Sequence, residues 1–282
     1  MRVGSQVRVV AVHDETAPVV PPKERESDVR LVLVSDTHGV AIPHALFPEG
    51  DLLLHAGDHT ASGTEEELRA ALAWLEGLAA RFPHGCLTVG GNHDVPLDAE
   101  TCGDGGGEEL ARWTLAKGVR LLRHEAVTVA GICFFGSPFV SFTPSRQAMA
   151  ADDPARCVGF QRDEATLEVL YAAIPPECDV LMTHTPSRGI LDASVQYGGV
   201  PRPQPVAVGS RALRQWLERP RRPALHVFGH EHDARGTHSA ALPGCLCCNA
   251  AAVDGDRGTL RHGGGYTLKP HFRATVVDLR LV

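Results

Sequence analysis

Leu31-Val-Leu-Val-Ser-Asp-Thr-His38 sets a strand-like apolar run directly before a polar cluster, and the chain repeats the arrangement four more times. Leu52-Leu-Leu-His-Ala56 leads to Gly57-Asp58-His59, and Leu87-Thr-Val89 to Gly91-Asn92-His93-Asp94. Val180-Leu-Met182 leads to Thr183-His184-Thr185, and Leu225-His-Val-Phe228 to Gly229-His230-Glu231-His232. Short apolar runs bounded by turn residues read as buried strands. Open α/β sheets place their sites at the carboxyl ends of such strands. One cluster alone would be a turn. Five at the same place relative to their strands bring Asp, Asn and His side chains to one sheet edge.

Helices are expected between these strands. Thr64-Glu-Glu-Glu67 has the form of a capping box, and Leu68, Leu72, Leu75 and Ala79 follow at helical spacing, so residues 65–80 form an amphipathic helix that Pro83 stops. Further helices are expected over 108–117, 162–173 and 211–218, the last capped by Ser210. Short strands are expected at 119–123, 126–130 and 132–135, and again at 244–250 and 273–281. Residues 101–107, 136–160 and 186–208 read as loops, and residues 1–28, with Pro18, Pro21 and Pro22 beside a charged run, as a poorly ordered arm. Residues 29–282 then make a single domain. Alternating strands and helices followed by strand-rich segments indicate α/β layers with mixed sheets.

The 282 residues suffice for one large core, and the formal net charge of −7 comes with no basic stripe. Tight sequence-independent nucleic-acid binding is therefore not expected. The basic run Arg219-Pro-Arg-Arg-Pro223 reads as a solvated loop. No apolar run reaches the roughly 20 residues of a membrane helix, and no signal peptide is recognisable, so the expected location is the cytoplasm and no membrane partner is expected. Eight scattered cysteines fit reduced thiols. Cys245-Leu-Cys247-Cys248 lacks partner ligands at zinc-finger spacing and reads as a buried strand.

The clusters suit metal ions. Asp36 and His38 stand two apart, and on an extended segment such residues point the same way, so both can reach one ion. The carboxylate of Asp58 has lone pairs enough to bridge two cations. Asn92 offers a carbonyl oxygen, and His184, His230 and His232 offer imidazole nitrogens. Gly57, Gly91 and Gly229 leave room for tight turns. Mixed N and O ligands without thiolate suit manganese, iron, zinc or cobalt, with manganese the first expectation. Two ions roughly 3.5–4 Å apart clamp the attacking and leaving oxygens of a displacement at phosphorus, and a hydroxide between them is the nucleophile. His55 and His226, inside their strands, read as packed core residues and stay outside the site.

In order, D-x-H, G-D, G-N-H-D, a lone H and G-H-x-H resemble the signature of the calcineurin-like metallophosphoesterase superfamily. The resemblance implies an αββα sandwich, two mixed β-sheets flanked by helices. It implies one metal on Asp36, His38, Asp58 and His232, and a second on Asp58, Asn92, His184 and His230. It implies His93 as general acid or charge stabiliser beside the leaving group, with Asp94 orienting it. Leu53-Leu-His-Ala-Gly-Asp58, Thr183-His-Thr-Pro186, Gly189-Ile-Leu-Asp192 and the Gly136-Ser-Pro138 turn look most like the metallophosphoesterase-domain-containing group related to the fetal-brain 239 protein. Some members of that group lack the first histidine of G-H-x-H. His230 is present here, which implies two complete metal sites. The G-D element continues as His59-Thr-Ala-Ser62, without the arginine with which Ser/Thr protein phosphatases grip phosphate.

The resemblance implies a small phosphodiester substrate, with cyclic nucleotides as the leading class. Phosphomonoester hydrolysis and a non-catalytic metal-binding scaffold are the alternatives. Phe139, Phe142 and Arg146 are expected either to stack on a base and contact phosphate or simply to pack their loop.

Overall fold

Every residue of the strand Val29–Val34 is buried, so layers cover it on both faces. Alternate side chains of a strand point to opposite sides. Leu31 and Leu33 accordingly enter one apolar cluster, and Val32 and Val34 another. The computed structural model describes residues 7–14, 19–102, 118–141, 158–197, 200–255 and 265–282. The helix expected over 108–117, most of the loops expected at 101–107 and 136–160, and Phe142, Pro144 and Arg146 lie outside the described residues.

In chain order, β1 (Val7–His13), β2 (Val29–Val34) and β3 (Leu52–His55) precede helix α1 (Glu65–Ala79) and β4 (Cys86–Thr88). The short helix α2 (Ala99–Cys102) comes before β5 (Val119–Leu121), β6 (Glu125–Val129), β7 (Ile132–Ser137), β8 (Val140–Ser141) and β9 (Gln161–Arg162). Helix α3 (Glu164–Ala172), β10 (Val180–Thr183), β11 (Ala193–Tyr197), β12 (Val200–Ala207), helix α4 (Arg211–Leu217) and β13 (Leu225–Phe228) follow. Then come β14 (Gly236–His238), β15 (Leu246–Asn249), β16 (Val253–Gly255), β17 (Tyr266–Leu268) and β18 (Thr275–Leu281).

Two six-stranded mixed sheets result, ordered β1-β18-β2-β3-β4-β5 and β14-β15-β13-β10-β7-β6. β2 to β5 run parallel in the first sheet, and β15, β13, β10 and β7 in the second. Leu31, Leu54, Val180 and Val227 meet between the sheets. Leu68, Leu72 and Leu75 of α1 cover the outer face of the first sheet. Leu167 and Tyr171 of α3, with Leu213 and Trp216 of α4, cover the second. This is the αββα sandwich. A Leu→Ala change in such a core costs about 2–5 kcal/mol. Thr64 caps α1 as its capping box predicts, its Oγ1 accepting from the Glu67 N–H at 3.2 Å.

Two local expectations change, and one alternative is decided. Residues 7–13 are not a poorly ordered arm but the edge strand β1, antiparallel to β18 from Val7 opposite Leu281 to His13 opposite Val276. Its partner lies at the far end of the chain, beyond any local pattern. The loop expected over 186–208 contains the antiparallel pair β11–β12. Phe139 packs its loop, with the Arg162 guanidinium 5.1 Å from its ring centroid and the His124 ring at 5.3 Å. The strand expected at 244–250 is present, with Cys245, Cys247 and Cys248 all buried.

The first sheet also carries a buried ionic seam. Arg30 donates to both carboxylate oxygens of its cross-strand partner Asp278, each at 2.7 Å. Arg280 does the same to Asp28 at 2.7 Å and reaches Glu24 at 2.9 Å. These are bidentate pairs, the strong geometry for guanidinium and carboxylate. The guanidinium of Arg280 holds the Asp28 carboxyl below its ordinary value.

Candidate metal centre

All five clusters leave their strands at the carboxyl ends of parallel strands, β2, β3 and β4 in one sheet and β10 and β13 in the other. The spacing of Asp36 and His38 predicts extended backbone. The structure presents these side chains differently: Asp36, His38, Asp58 and His230 have φ of 52°, 45°, 56° and 72°. Non-glycine residues in this left-handed region are uncommon and gather at functional sites. His232 opens a short 3-10 turn rather than extending a strand.

The glycines matter mainly for space. Only Gly57 of the three has a positive φ, at 95°. A methyl group on Gly91 would overlap Asp58 Oδ1, and one on Gly229 would overlap Asp36 Oδ2 and Ser35 Oγ. The backbone thus closes on the two carboxylates. His230 N–H donates to Asp36 Oδ1 at 2.9 Å, and His93 N–H to Asp58 Oδ1 at 2.9 Å.

Three histidines are aimed by one ring nitrogen each. Nδ1 donates to a backbone carbonyl in His38 (Thr60 O, 2.9 Å), His184 (Ala56 O, 2.9 Å) and His93 (Ala61 O, 2.7 Å). That bond selects the tautomer and turns Nε2 toward the cluster. His38 Nε2 comes within 3.1 Å of His232 Nε2, which lies 3.2 Å from Asp36 Oδ1. His184 Nε2 lies 3.1 Å from Asp58 Oδ2, 3.2 Å from Asn92 Oδ1 and 3.2 Å from His230 Nδ1. His38 Nε2 is 3.7 Å from the same Asp58 oxygen, and His93 Nε2 is 4.0 Å from it.

The donor atoms therefore converge in groups small enough for one ion each: Asp36, His38 and His232; Asp58, His184 and His230; and His38, Asp58 and His93. Asp58 belongs to two of them. Borderline nitrogen and hard oxygen donors in this mixture fit divalent first-row cations. The electrostatics agree. Burial works against the charges of Asp36 and Asp58, yet neighbouring histidines hold both carboxyls below the ordinary range. Burial, with the neighbouring His93, lowers His38 and keeps its lone pair available. Burial also pulls His184 down, but the Asp58 charge and hydrogen bond outweigh it and raise the group to about 9, a proton that a bound cation would displace.

The structure brings together Asp36, His38, Asp58, Asn92, His93, His184, His230 and His232. Asp94 is buried behind them, with a role other than the one its neighbour suggests. Its carboxylate accepts from the backbone N–H groups of His59, Thr60 and Gly91 at 2.9, 3.1 and 2.9 Å, and Oδ2 meets His59 Nδ1 at 2.8 Å. It ties the second cluster to the third and holds His59, while His93 is oriented by Ala61. A short polar residue bonds wherever the packing brings N–H groups, which sequence adjacency does not reveal.

Sequence reasoning passed over three supports. His55 Nε2 bonds Thr37 Oγ1 at 3.1 Å, and His226 Nε2 bonds Thr183 Oγ1 at 2.9 Å. These fully buried core histidines brace the residues beside Asp36, His38 and His184. Tyr266 of β17 stacks on the His38 ring, with centroids 3.8 Å apart and planes 5° apart.

The description "calcineurin-like phosphoesterase" belongs to the family model that matches residues 29–234. A UPF0046 protein of Caenorhabditis elegans is 33% identical over 228 residues, 78% of this chain and 69% of that protein. Metallophosphoesterase domain-containing protein 1 of Homo sapiens is 31% identical over 222 residues, 73% of this chain and 61% of that protein. A probable rhamnogalacturonate lyase C of Emericella nidulans is 32% identical over 251 residues, 87% of this chain but 21% of that protein. The chain thus spans about two thirds of the first two relatives and about a fifth of the third.

Proposed function

The chain belongs to the calcineurin-like phosphoesterase family, and we propose that it hydrolyses small phosphodiesters, cyclic nucleotides foremost, with two divalent metal ions held at the cluster. Membership gives the class of chemistry, metal-assisted phosphoester hydrolysis. The narrower substrate is our reading, and so is manganese as the ion to try first and the cytoplasm as the setting.

Asp36, His38, Asp58 and His232 would hold one ion, and Asp58, Asn92, His184 and His230 the other. When bound, such a pair supplies a water deprotonated near neutral pH and positive charge for the phosphate oxygens. The chain's own residues do the rest. The backbone amides of His93 and His230 fix the two carboxylates. Thr60 O and Ala56 O keep Nε2 of His38 and His184 turned inward. Ala61 O holds His93 beside the shared carboxylate, where Nε2 of the doubly protonated imidazolium would give its proton to a leaving oxygen. The observation that carries the proposal is Asp58, whose carboxylate converges with His184 and His230 on one side and with His38 on the other.

The test is a substrate screen with added manganese: 2′,3′- and 3′,5′-cyclic nucleotides, bis-p-nitrophenyl phosphate and p-nitrophenyl phosphate. Diester turnover is expected, reduced on the order of 10³-fold by Asp58→Ala, about 4 kcal/mol of transition-state stabilisation. Turnover of monoesters alone would sink the diesterase reading. Unchanged turnover in Asp58→Ala would sink the site.

A further inference from the structure

Resting on the reading of the cluster as a phosphoesterase metal centre, we propose that Tyr266 is a positioning residue for the metal ligand His38. The hydrogen bond from His38 Nδ1 to Thr60 O, at 2.9 Å, fixes which nitrogen faces inward. That bond and the Cβ–Cγ tether leave limited rocking of the ring, which shifts Nε2. The His93 ring bounds His38 edge-on at 4.5 Å, and a contact on the flat face restrains the rest. Tyr266 lies flat on the ring, with centroids 3.8 Å and planes 5° apart. The same tyrosine meets the His93 ring nearly edge-on at 6.1 Å and the tilted His232 ring at 6.0 Å. It therefore borders three histidines contributed by three different clusters.

The tyrosine is itself firmly placed. β17 pairs antiparallel with β16, Tyr266 opposite Gly255 and Leu268 opposite Val253. Val253 is fully buried, and Tyr266 packs against the apolar cluster that covers α1. The residues just before β16 are fastened beside the first ligand: Ala252 N–H donates to Ser35 O at 2.8 Å, and Ser35 bridges to Ala251. Ser35 directly precedes Asp36. The hairpin that carries Tyr266 is thus anchored where the first ligand loop begins, and the aromatic face is held in register with His38.

The stack needs a planar ring. Tyr266→Phe should bind manganese and turn over bis-p-nitrophenyl phosphate as the wild type does. Tyr266→Leu should bind one of two manganese equivalents about 10-fold more weakly, the usual scale for a group that orients a ligand. Its kcat should fall at limiting manganese and return at saturating manganese. Calorimetric titration of the metal-free full chain reads the affinity without requiring turnover, and melting of the same samples checks folding. Should Tyr266→Leu not fold, Tyr266→Met, which keeps bulk without a flat face, replaces it. Wild-type affinity for both equivalents in the leucine or methionine variant would overturn the proposal. So would a phenylalanine variant as impaired as the leucine one. Asp58→Ala, titrated alongside, separates the two readings: if it still bound two equivalents tightly, the metal-centre reading itself would fail, whatever Tyr266 does.

Discussion

The first sheet carries two sets of buried charge, and β2 contributes to both. At the seam, donors face acceptors: Arg30 meets Asp278 and Arg280 meets Asp28, each through paired bonds of 2.7 Å. Past the end of the same strand, side-chain atoms able to ligate a cation face one another. His38 Nε2 and His232 Nε2 lie 3.1 Å apart beside Asp36, and Asp58 draws His184 in from the second sheet. The seam is neutralised by its own side chains and serves the fold. The metal centre instead gathers carboxylates and imidazoles whose protons a bound cation would displace, and its backbone adopts left-handed conformations to do so.

The contrast can be broken most severely at Gly229. Alanine there would overlap Asp36 Oδ2 and Ser35 Oγ. We expect Gly229→Ala to lose turnover by on the order of 10²-fold or more, together with tight binding of one metal equivalent. Turnover within about 10-fold of wild type would show that the close approach of backbone to carboxylate is dispensable. Breaking the seam should do the opposite. Asp278→Ala strands a buried guanidinium and should destabilise the chain by about 3 kcal/mol in denaturant melts, with metal content and turnover per folded molecule unchanged. Loss of metal content in that variant would mean that seam and site are one unit.

The smallest effect is on pH dependence. The folded value of Asp28 lies below its unfolded one, so its pairing with Arg280 contributes fully above about pH 4 and is lost as pH falls through the folded value. Melting curves of wild type and Asp28→Asn should run apart at neutral pH and converge in acid. Parallel curves down to about pH 2 would remove Asp28 from the account of acid stability.

Much of this was legible in the sequence, for reasons that differ from residue to residue. The five strand-then-cluster units could be read because burial on both faces demands continuous apolar runs, and those runs end where the ligands begin. Spacing of i, i+2 does bring Asp36 and His38 together, though on left-handed rather than extended backbone, whereas His230 and His232, also two apart, fall in different donor groups. Positive φ at aspartate and histidine leaves no local signature when glycine is not required. β1 is hidden because its partner is β18, and the resemblance gives Asp94 to His93 whereas the fold brings it to His59. Tyr266 had no pattern around it at all. Its position depends on a hairpin fastened to Ser35 through Ala251 and Ala252.

The strand order β1-β18-β2 has a consequence for synthesis on the ribosome. β18 lies between two strands from the other end of the chain, and its pairing with β1 joins Val7 to Leu281. Neither that pairing nor the seam can form until Thr275–Leu281 has left the exit tunnel. The loops that carry Asp36, Asp58 and Asn92 are made long before then. The nascent protein therefore holds ligand-bearing strands beside an unfilled slot, and such non-local pairing is slow to close and open to mispairing. Completion of the sheet therefore waits for β18, the last of its strands to be made.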